Sequence, residues 1–352
     1  MNGRRFCCMT DMKRKIDMQT ETGVIRMDEK KIRRIGVLTS GGDAPGMNAV
    51  IRAVVRTACA SDISVIGVKR GYAGLMTSDM IPMDARSVDG ILARGGTILY
   101  TARALEMLTP EGLQRAVDNC RFMGIDGLVC CGGDGTFRGA QALSRKGVPC
   151  VGVPGTIDND IGCTEYTIGF DTACNTCVSA IDKLRDTMQS HERISVVEVM
   201  GRRAGHLALN VGVAVGATAI LVPEHPCNFE EDVVEKIRNA HLHGRNHHII
   251  IVAEGYAMGC QEVARQLEEA VGMDVRVTIL GHIQRGGSPT AQDRIMATKM
   301  GSYAVQCLLE GRSQRIVALR DNRVTDLDIE EALGMTKSLN EQLLRSEETT
   351  TI

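Results

Sequence analysis

The chain has 352 residues, a formal net charge of -2, 38 glycines, no tryptophan and only 3% aromatic residues. One core seldom serves a chain of that length, so two domains are expected. The near balance of acids and bases excludes a nucleic-acid binder that relies on a general positive field, and the composition suits glycine turns between aliphatic strands and helices.

Residues 1–31 alternate charged and polar side chains with scattered methionines and hold no apolar centre. They predict a mobile extension rather than a signal peptide or a folded element. Organised sequence begins at Arg34-Ile35-Gly36-Val37-Leu38-Thr39, a short apolar strand. Ser40-Gly41-Gly42-Asp43-Ala44-Pro45-Gly46-Met47-Asn48 follows, and then a helical run from Ala49 to Ala60. Strand, glycine turn and helix N-terminus make an anion cradle, because free N–H groups and the helix dipole point at the bend. Neither the G-x-G-x-x-G fingerprint nor the P-loop lysine pattern is present, which disfavours a dinucleotide site and with it a nicotinamide dehydrogenase.

A strand over Ile63–Val68 leads to Gly71-Tyr72-Ala73-Gly74, and Arg94-Gly95-Gly96-Thr97 supplies a further glycine turn before Thr101-Ala102-Arg103. Thr109, Pro110 and Glu111 read as N-cap, first helical residue and first-turn acid of a helix that runs to about Phe122. Ile125–Cys131 is a buried-type strand ending in Gly132-Gly133-Asp134-Gly135-Thr136, which opens another helix through Leu143. Two readings fit that turn. It is a tight βα connection capped by Asp134, or a polyphosphate cradle in which the glycines admit the ligand and Asp134 faces Mg²⁺ directly or through water.

The strand Val148–Val153 ends in Pro154-Gly155-Thr156-Ile157-Asp158-Asn159-Asp160, just past a strand's carboxyl end, where open α/β sheets place their ligands. Asp158 and Asp160 suit a hydroxyl-activating base and a partner near a metal; the same residues also serve as plain turn formers. Helical period runs from Phe170 to Met188. The near-apolar stretch Leu207–Val222 is broken by Asn210, Gly212 and Gly216 and is short for a bilayer span, so it reads as a buried helix turning into a strand. Three more strands end in polar turns: Ile194–Val199 in Met200-Gly201-Arg202, Ile249–Ala253 in Glu254-Gly255, and Val275–Leu280 in Gly281-His282-Ile283-Gln284-Arg285-Gly286-Gly287. They alternate with helices over Asn228–His241 and Pro289–Leu309, the rhythm of parallel sheets. Arg, His and Glu recurring at strand ends describe a cleft for an anionic ligand, with guanidinium groups for a phosphate and Glu254 for sugar hydroxyls.

Thirteen cysteines lack the spacing of a disulfide framework, and Cys130, Cys131 and Cys150 lie in apolar strand runs. Buried thiols in a reducing cytoplasm are expected, with no membrane and no nucleic-acid partner. Cys174 and Cys177 form a C-x-x-C without a second pair, on a helical segment, which disfavours a redox or zinc role.

Five motifs in this order (Thr39 to Asn48, Gly132 to Thr136, Pro154 to Asp160, Met200-Gly201-Arg202, Gly281 to Gly287) resemble those of 6-phosphofructokinases of the bacterial ATP-dependent type, from about Ile32 to about Leu333. The resemblance implies an α/β fold of two domains with mainly parallel sheets flanked by helices, and an active site in the cleft between them. It implies an ATP-binding domain over 32–169 with 283–334, and a sugar-phosphate-binding domain over 170–282 with 335–352. The implied reaction moves the γ-phosphoryl group of ATP to the 1-hydroxyl of fructose 6-phosphate. Asp158 would be the base, Asp160 a supporting acid that orients the loop or steers metal-bound water, and Thr156 and Arg202 would steady the transferring group. Gly41, Arg103, Ala104, Gly133, Asp134, Gly135 and Thr136 would hold ATP, with Asp134 at the magnesium. Arg193, Arg276, His282 and Arg285 would bind the sugar phosphate and Met200 and Glu254 the sugar, with Ile157, Gly201, Ile283 and Gln284 in the same substrate-binding segments. In this family Arg193 and Arg276 reach a neighbouring subunit's site, which implies a homotetramer with shared sugar-phosphate sites.

The departures from the family pattern carry expectations of their own. Ala104 replaces an aromatic residue that can lie against adenine, and Leu108 and Leu113 replace basic residues, which bears on nucleotide affinity and base selectivity. Arg52, Arg56, Arg185 and Arg245 match basic positions of the family's separate effector site for ADP and phosphoenolpyruvate, but Ala85, Gly90, His243 and Thr218 replace an arginine, an acid, a lysine and a glutamate there. Reduced or altered allosteric control is expected. Pyrophosphate-using relatives carry an acid at the position of Gly135 and a lysine at that of Gly155, so glycine at both favours ATP. A silent sugar-phosphate-binding regulatory subunit is the remaining alternative; it predicts decay of the catalytic set, whereas Asp134, Thr156, Asp158, Asp160 and Arg202 are all present.

Overall fold

The computed structural model describes residues 32–350; the extension expected over residues 1–31 lies outside them. The chain opens with β1 (Arg34–Thr39), α1 (Met47–Ala60), β2 (Ser64–Val68), α2 (Gly71–Thr77) and the short strand β3 (Met80–Met83). After a 3₁₀ turn at Leu105–Leu108 come α3 (Pro110–Phe122), β4 (Gly127–Gly132), α4 (Asp134–Arg145) and β5 (Cys150–Pro154). The start of α3 follows its sequence: Thr109 Oγ1 accepts from the Gly112 N–H at 3.1 Å, Pro110 fills the first turn and Glu111 faces the positive end of the dipole. A second series holds α5 (Phe170–His191), β6 (Ile194–Val199), α6 (His206–Val215) and β7 (Ala219–Leu221). It continues through a π turn at Glu230–Val234 into α7 (Glu235–Leu242), then β8 (His248–Ala253), α8 (Cys260–Val271) and β9 (Val275–Ile279). The last elements are α9 (Ala291–Leu309), β10 (Arg315–Arg320), β11 (Arg323–Asp328), α10 (Ile329–Leu333) and α11 (Glu341–Thr350).

The larger sheet has the order β11-β10-β5-β4-β1-β2-β3, parallel from β10 to β2 and antiparallel at both edges. The smaller, β7-β8-β6-β9, is parallel throughout. Parallel strands need covering on both faces, and three apolar clusters supply it. One continuous core runs from β1 and α1 through α5, α6 and α9 to β6 and β8, so helices between the two sheets serve both. The outer faces are sealed separately, the larger sheet by α2, α3 and α4 and the smaller by α7 and α8.

Strand order reverses between β1 and β4, and the turns that follow these strands therefore diverge from neighbouring strand ends. Such a switch point opens a crevice at the carboxyl edge of a sheet. In the smaller sheet the segments after β6, β8 and β9 leave from the same edge of three adjacent strands.

The hairpin β10–β11 is a finding of the structure, absent from the sequence reading. β11 is the edge strand of the pair, and the turn residues Asp321 and Asn322 both have positive φ, 50° and 59°, as a two-residue hairpin turn requires. The stretch Leu207–Val222 is the helix α6 running into β7, and no helix among the described residues is long and apolar enough to cross a membrane. The described cysteines are free thiols, and Cys174 and Cys177 lie within α5.

Candidate active site

The ends of β1, β4 and β5 are locked together before any ligand arrives. The Ser40 N–H donates to the Cys131 carbonyl at 3.0 Å and the Gly155 N–H to the Gly132 carbonyl at 3.0 Å, while Thr136 Oγ1 donates to the Ser40 carbonyl at 3.1 Å. Thr101 Oγ1 ties down the Gly41 carbonyl at 2.7 Å, and the Tyr72 hydroxyl donates to the Thr136 carbonyl at 2.5 Å. A Cβ at Gly132 would stand 2.4 Å from the Ser40 carbonyl oxygen, so only glycine lets the two turns touch. By contrast a Cβ at Gly133 or Gly135 meets nothing within 4 Å. No side chain caps α4, and its first N–H groups face a cavity of about 350 Å³ lined by Gly41, Arg103, Ala104, Asp134, Thr156 and Asp158 among others. An uncapped helix start at the floor of a cavity is an anion site.

Asp158 enters this cavity from the turn after β5. Its backbone N–H donates to Thr156 Oγ1 at 3.2 Å, and the residue is 2% exposed. One carboxylate oxygen, Oδ2, faces Arg202 Nε at 3.4 Å; the other, Oδ1, is buried and makes no hydrogen bond. Burial first, and then the nearby Asp160 carboxylate, pushes the Asp158 carboxyl up to about 6, against the opposing pull of Arg202 and Arg285. Asp134, at the start of α4, is also raised above the ordinary carboxylate value, by burial and then by Asp160. The cavity therefore concentrates carboxylate charge that a divalent cation would relieve. Among the described residues no group of three or more His, Cys, Asp or Glu side chains could hold a metal by itself, so a cation here needs ligand phosphates for the rest of its shell.

Arg202 is placed by the turn after β6. Gly201 has φ 142°, and a Cβ there would lie 2.4 Å from the Ala204 carbonyl oxygen; Arg202 itself sits at φ 54° with its N–H donating to Glu254 Oε1 at 2.6 Å. Glu254 thus fixes the backbone of Arg202 from the end of the neighbouring strand β8. Arg285 comes from the turn after β9 and crosses to the other sheet's cradle. Its guanidinium occupies the space a side chain at Gly42 would need, 2.7 Å from that missing Cβ, and stands 4.0 Å from Asp43 Oδ1. Asp43 had no role in the sequence reading; its place inside a glycine turn was the available signal.

The other expected site residues fall into distinct places. Gly41, Arg103, Ala104, Gly133, Asp134, Gly135, Thr136, Thr156, Ile157, Asp158, Asp160, Arg202 and Arg285 line one cavity. The Ile157 side chain belongs to the apolar core, which leaves its backbone as the part available to a ligand. Met200 is buried, and Gln284 is turned fully inward: its Oε1 accepts from the Met200 N–H at 3.0 Å and the Cys177 thiol at 3.2 Å, while its Nε2 donates to the Gly281 carbonyl at 2.9 Å. Its amide is an internal brace between α5 and the turn after β6, with its polar atoms already used. His282 and Ile283 are exposed on the 3₁₀ turn Gly281–Arg285.

Arg193 and Arg276 lie at the opposite, amino-terminal edge of the smaller sheet, where both pair with Asp274, at 2.6 and 2.9 Å. The six residues of β6, about 20 Å of strand, separate Arg193 from Met200. Of the four arginines expected at an effector site, Arg185 and Arg245 flank His247 and hold its pKa down after burial, Arg185 also donating to the Val215 carbonyl. Arg52 and Arg56 project from α1, Arg56 pairing with Asp89 at 2.6 Å, and no hydrogen bond or ion pair joins them to the other two. Thr218 Oγ1 is 3.2 Å from Nδ1 of the buried His248.

Comparison with known proteins identifies the family. Residues 34–308 match the phosphofructokinase family. The chain is 53% identical over 312 residues to ATP-dependent 6-phosphofructokinase 1 of Clostridium perfringens, covering 89% of this chain and 97% of that protein. It is 52% identical, with the same coverage, to the ATP-dependent 6-phosphofructokinase of Clostridium botulinum. The structure of phosphofructokinase from Saccharomyces cerevisiae superposes with a TM-score of 0.82 at 36% identity; 91% of this chain is covered but 48% of the yeast chain, so this chain spans about half the yeast protein's length. The chain belongs to the ATP-dependent 6-phosphofructokinase family.

Proposed function

We propose that the protein transfers the γ-phosphoryl group of MgATP to the 1-hydroxyl of fructose 6-phosphate, giving fructose 1,6-bisphosphate and ADP. The observation that carries this reading is the pairing, in one cavity, of a buried carboxylate oxygen without a partner, Asp158 Oδ1, and an uncapped helix start lined by open glycines. Oδ1 accepts the hydroxyl proton as the sugar oxygen attacks the γ-phosphorus and the bond to the β–γ bridging oxygen breaks. Arg202, from the smaller sheet, stands beside the place where charge grows on the transferring group, and Thr156 orients the turn beneath it. The segment Gly133 to Thr136, with the N–H groups of its first three residues, and the Gly41 turn cradle the polyphosphate, while Arg103 and Ala104 line the nucleotide's side of the cavity. Asp134 would hold the magnesium, supported by Asp160; magnesium bound with the nucleotide neutralises phosphate charge there.

The nucleotide domain is assigned to 32–169 with 283–334 and the sugar-phosphate domain to 170–282 with 335–352, a division supported by the membership of the two sheets. The position of Arg193 and Arg276, about 20 Å of strand from Met200, supports their service to a neighbouring subunit's sugar phosphate in a homotetramer. His282 and Arg285, with the turn that carries them, are assigned to the sugar phosphate, and Met200 and Glu254 to its sugar. Effector control is reduced or altered, a reading supported by the hydroxyl of Thr218, which faces His248 and offers no carboxylate to an effector's magnesium. Steady-state assays with fructose 6-phosphate and Mg²⁺ compare the donors: turnover with ATP and not pyrophosphate is the expected result, and turnover with pyrophosphate alone would overturn the donor assignment.

A further inference from the structure

Asn159 stands between the two acids of the catalytic turn in the left-handed region, φ 49°, with its side chain buried. Asparagine takes that conformation more readily than most residues other than glycine, and contacts to its amide hold it there. Here the Asn159 Oδ1 accepts from Lys337 Nζ at 2.8 Å and lies 3.4 Å from Thr167 Oγ1, whose proton goes to the Thr156 carbonyl at 2.7 Å. Lys337 belongs to the segment between α10 and α11 and also donates to the Glu165 carbonyl at 3.1 Å. One ammonium therefore ties the outgoing arm of the loop after β5 to its returning arm. The same segment lies directly on the loop, since a Cβ at Gly162 would stand 2.3 Å from the Met335 carbonyl oxygen.

We propose that Lys337 is a positioning residue of the phosphoryl-transfer site: its ammonium holds the Asn159 amide, and through it the left-handed turn that aims Asp158 and presents Asp160. This inference rests on the phosphoryl-transfer reading above. The titratable groups facing the ammonium are Asp160, Cys163 and Glu165 from the loop and His206 from the start of α6. Burial draws Lys337 down to about 8, against the opposing pull of Asp160, Cys163 and Glu165. His206 is held down to about 4, by burial and then by Lys337, and so is neutral at the pH of the assay. Above pH 8 the amine keeps N–H donors but loses charge assistance, which loosens its grip on Asn159 and lowers kcat.

The test compares wild type with Lys337→Met, Lys337→Gln and Lys337→Arg, using fructose 6-phosphate and MgATP across the pH range, with thermal melting alongside. Lys337→Met is expected to lower kcat by about tenfold or more while the KM for ATP moves less than about threefold. Lys337→Arg, which keeps the donors and a charge that does not titrate, should recover much of the rate and lose the decline above pH 8. A Lys337→Met enzyme within about twofold of the wild-type kcat overturns the proposal. So does a loss that arginine does not relieve and that follows the melting temperature. If Lys337→Met is not recovered folded, Lys337→Gln against Lys337→Arg decides: a slow glutamine enzyme beside an active arginine enzyme supports the role, and equal rates overturn it. A wild type with no transferase activity would remove the phosphoryl-transfer reading and this inference together, whereas an active wild type with indifferent variants removes this inference alone.

Discussion

Arg202 Nε stands 3.4 Å from Asp158 Oδ2, yet the carboxyl group beside it is pushed up to about 6 rather than down. Exposure decides the balance. The Asp158 side chain is 4% exposed and that of Arg202 is 55% exposed, so the acid bears nearly full desolvation while the partner's charge is screened by water. A carboxylate in that balance is an effective base near neutral pH, and it must be ionised to take a proton. Activity is expected to fall as pH drops through about 6, and the pH profile of kcat/KM, which reports the free enzyme's groups, checks it.

Asp158→Asn should separate activity from stability. Loss of the base is expected to lower kcat by about 10²–10⁴-fold. The same change should stabilise the ligand-free protein at neutral pH, because the folded-state pKa lies above the ordinary value of 3.8 and the folded protein carries the cost of the buried charge above about 6. The gain is on the order of 3 kcal/mol at pH 7 and vanishes once the carboxyl is protonated in both states. Thermal melts of both proteins at neutral pH and below the ordinary carboxylate pKa check the sign: a higher melting point for the variant at the former, none at the latter.

Arg202 opposes the rise in the Asp158 pKa, so its removal carries a signature beyond lost rate. Arg202→Ala is expected to lower kcat by about 10²–10³-fold and to move the acid limb of the profile to higher pH. Arg202→Lys keeps a charge but not the planar fork and should fall between the two. An acid limb that stays in place in both variants would detach Arg202 from Asp158.

Much of this site was legible in the sequence because its parts are local. A strand, a glycine turn and a helix start are contiguous, and the turns after β1, β4, β5 and β6 could be recognised from their own residues. The partners that hold those turns are remote. Lys337 reaches Asn159 across the fold without any local pattern, and Asp293, fully buried, accepts from Tyr166 Oη at 2.5 Å, the Gly169 N–H at 2.7 Å, the Thr172 N–H at 2.9 Å and the Thr172 hydroxyl. In the sequence that aspartate looks like an ordinary first-turn acid of α9; in the structure it also fastens the start of α5 and the returning arm of the catalytic loop. The Gln284 side chain, which braces α5 against the turn after β6, shows the related limit that a motif gives spacing and not the direction a side chain takes.

A shared sugar-phosphate site predicts complementation. Arg193→Ala chains and Asp158→Asn chains are each expected to be nearly inactive at moderate fructose 6-phosphate. Co-assembled in equal amounts, they should regain about a quarter of wild-type activity, because that share of sites joins an intact Asp158 to an intact Arg193 from the neighbour. If both residues instead served one chain's own site, no mixed assembly would contain an intact site. Activity of co-expressed, doubly tagged chains against separately purified chains is the measurement.

Gly135 and Gly155 differ in what surrounds them, and the difference predicts two kinds of failure. A Cβ at Gly135 meets nothing within 4 Å, whereas one at Gly155 would stand 2.8 Å from Cys131 Sγ and 3.5 Å from Met47 Cε. Gly135→Asp should therefore melt close to the wild type. Its carboxylate would occupy the space over the start of α4 and repel the polyphosphate, raising the KM for ATP by about tenfold or more with the KM for fructose 6-phosphate little changed. Gly155→Lys has to displace a core sulfur before its ammonium reaches the cavity, so it should lose melting temperature as well as ATP turnover. An unchanged KM for ATP in Gly135→Asp would mean that the nucleotide's phosphates do not pass over this helix start, and the cradle assigned to Gly133 to Thr136 would fall with it.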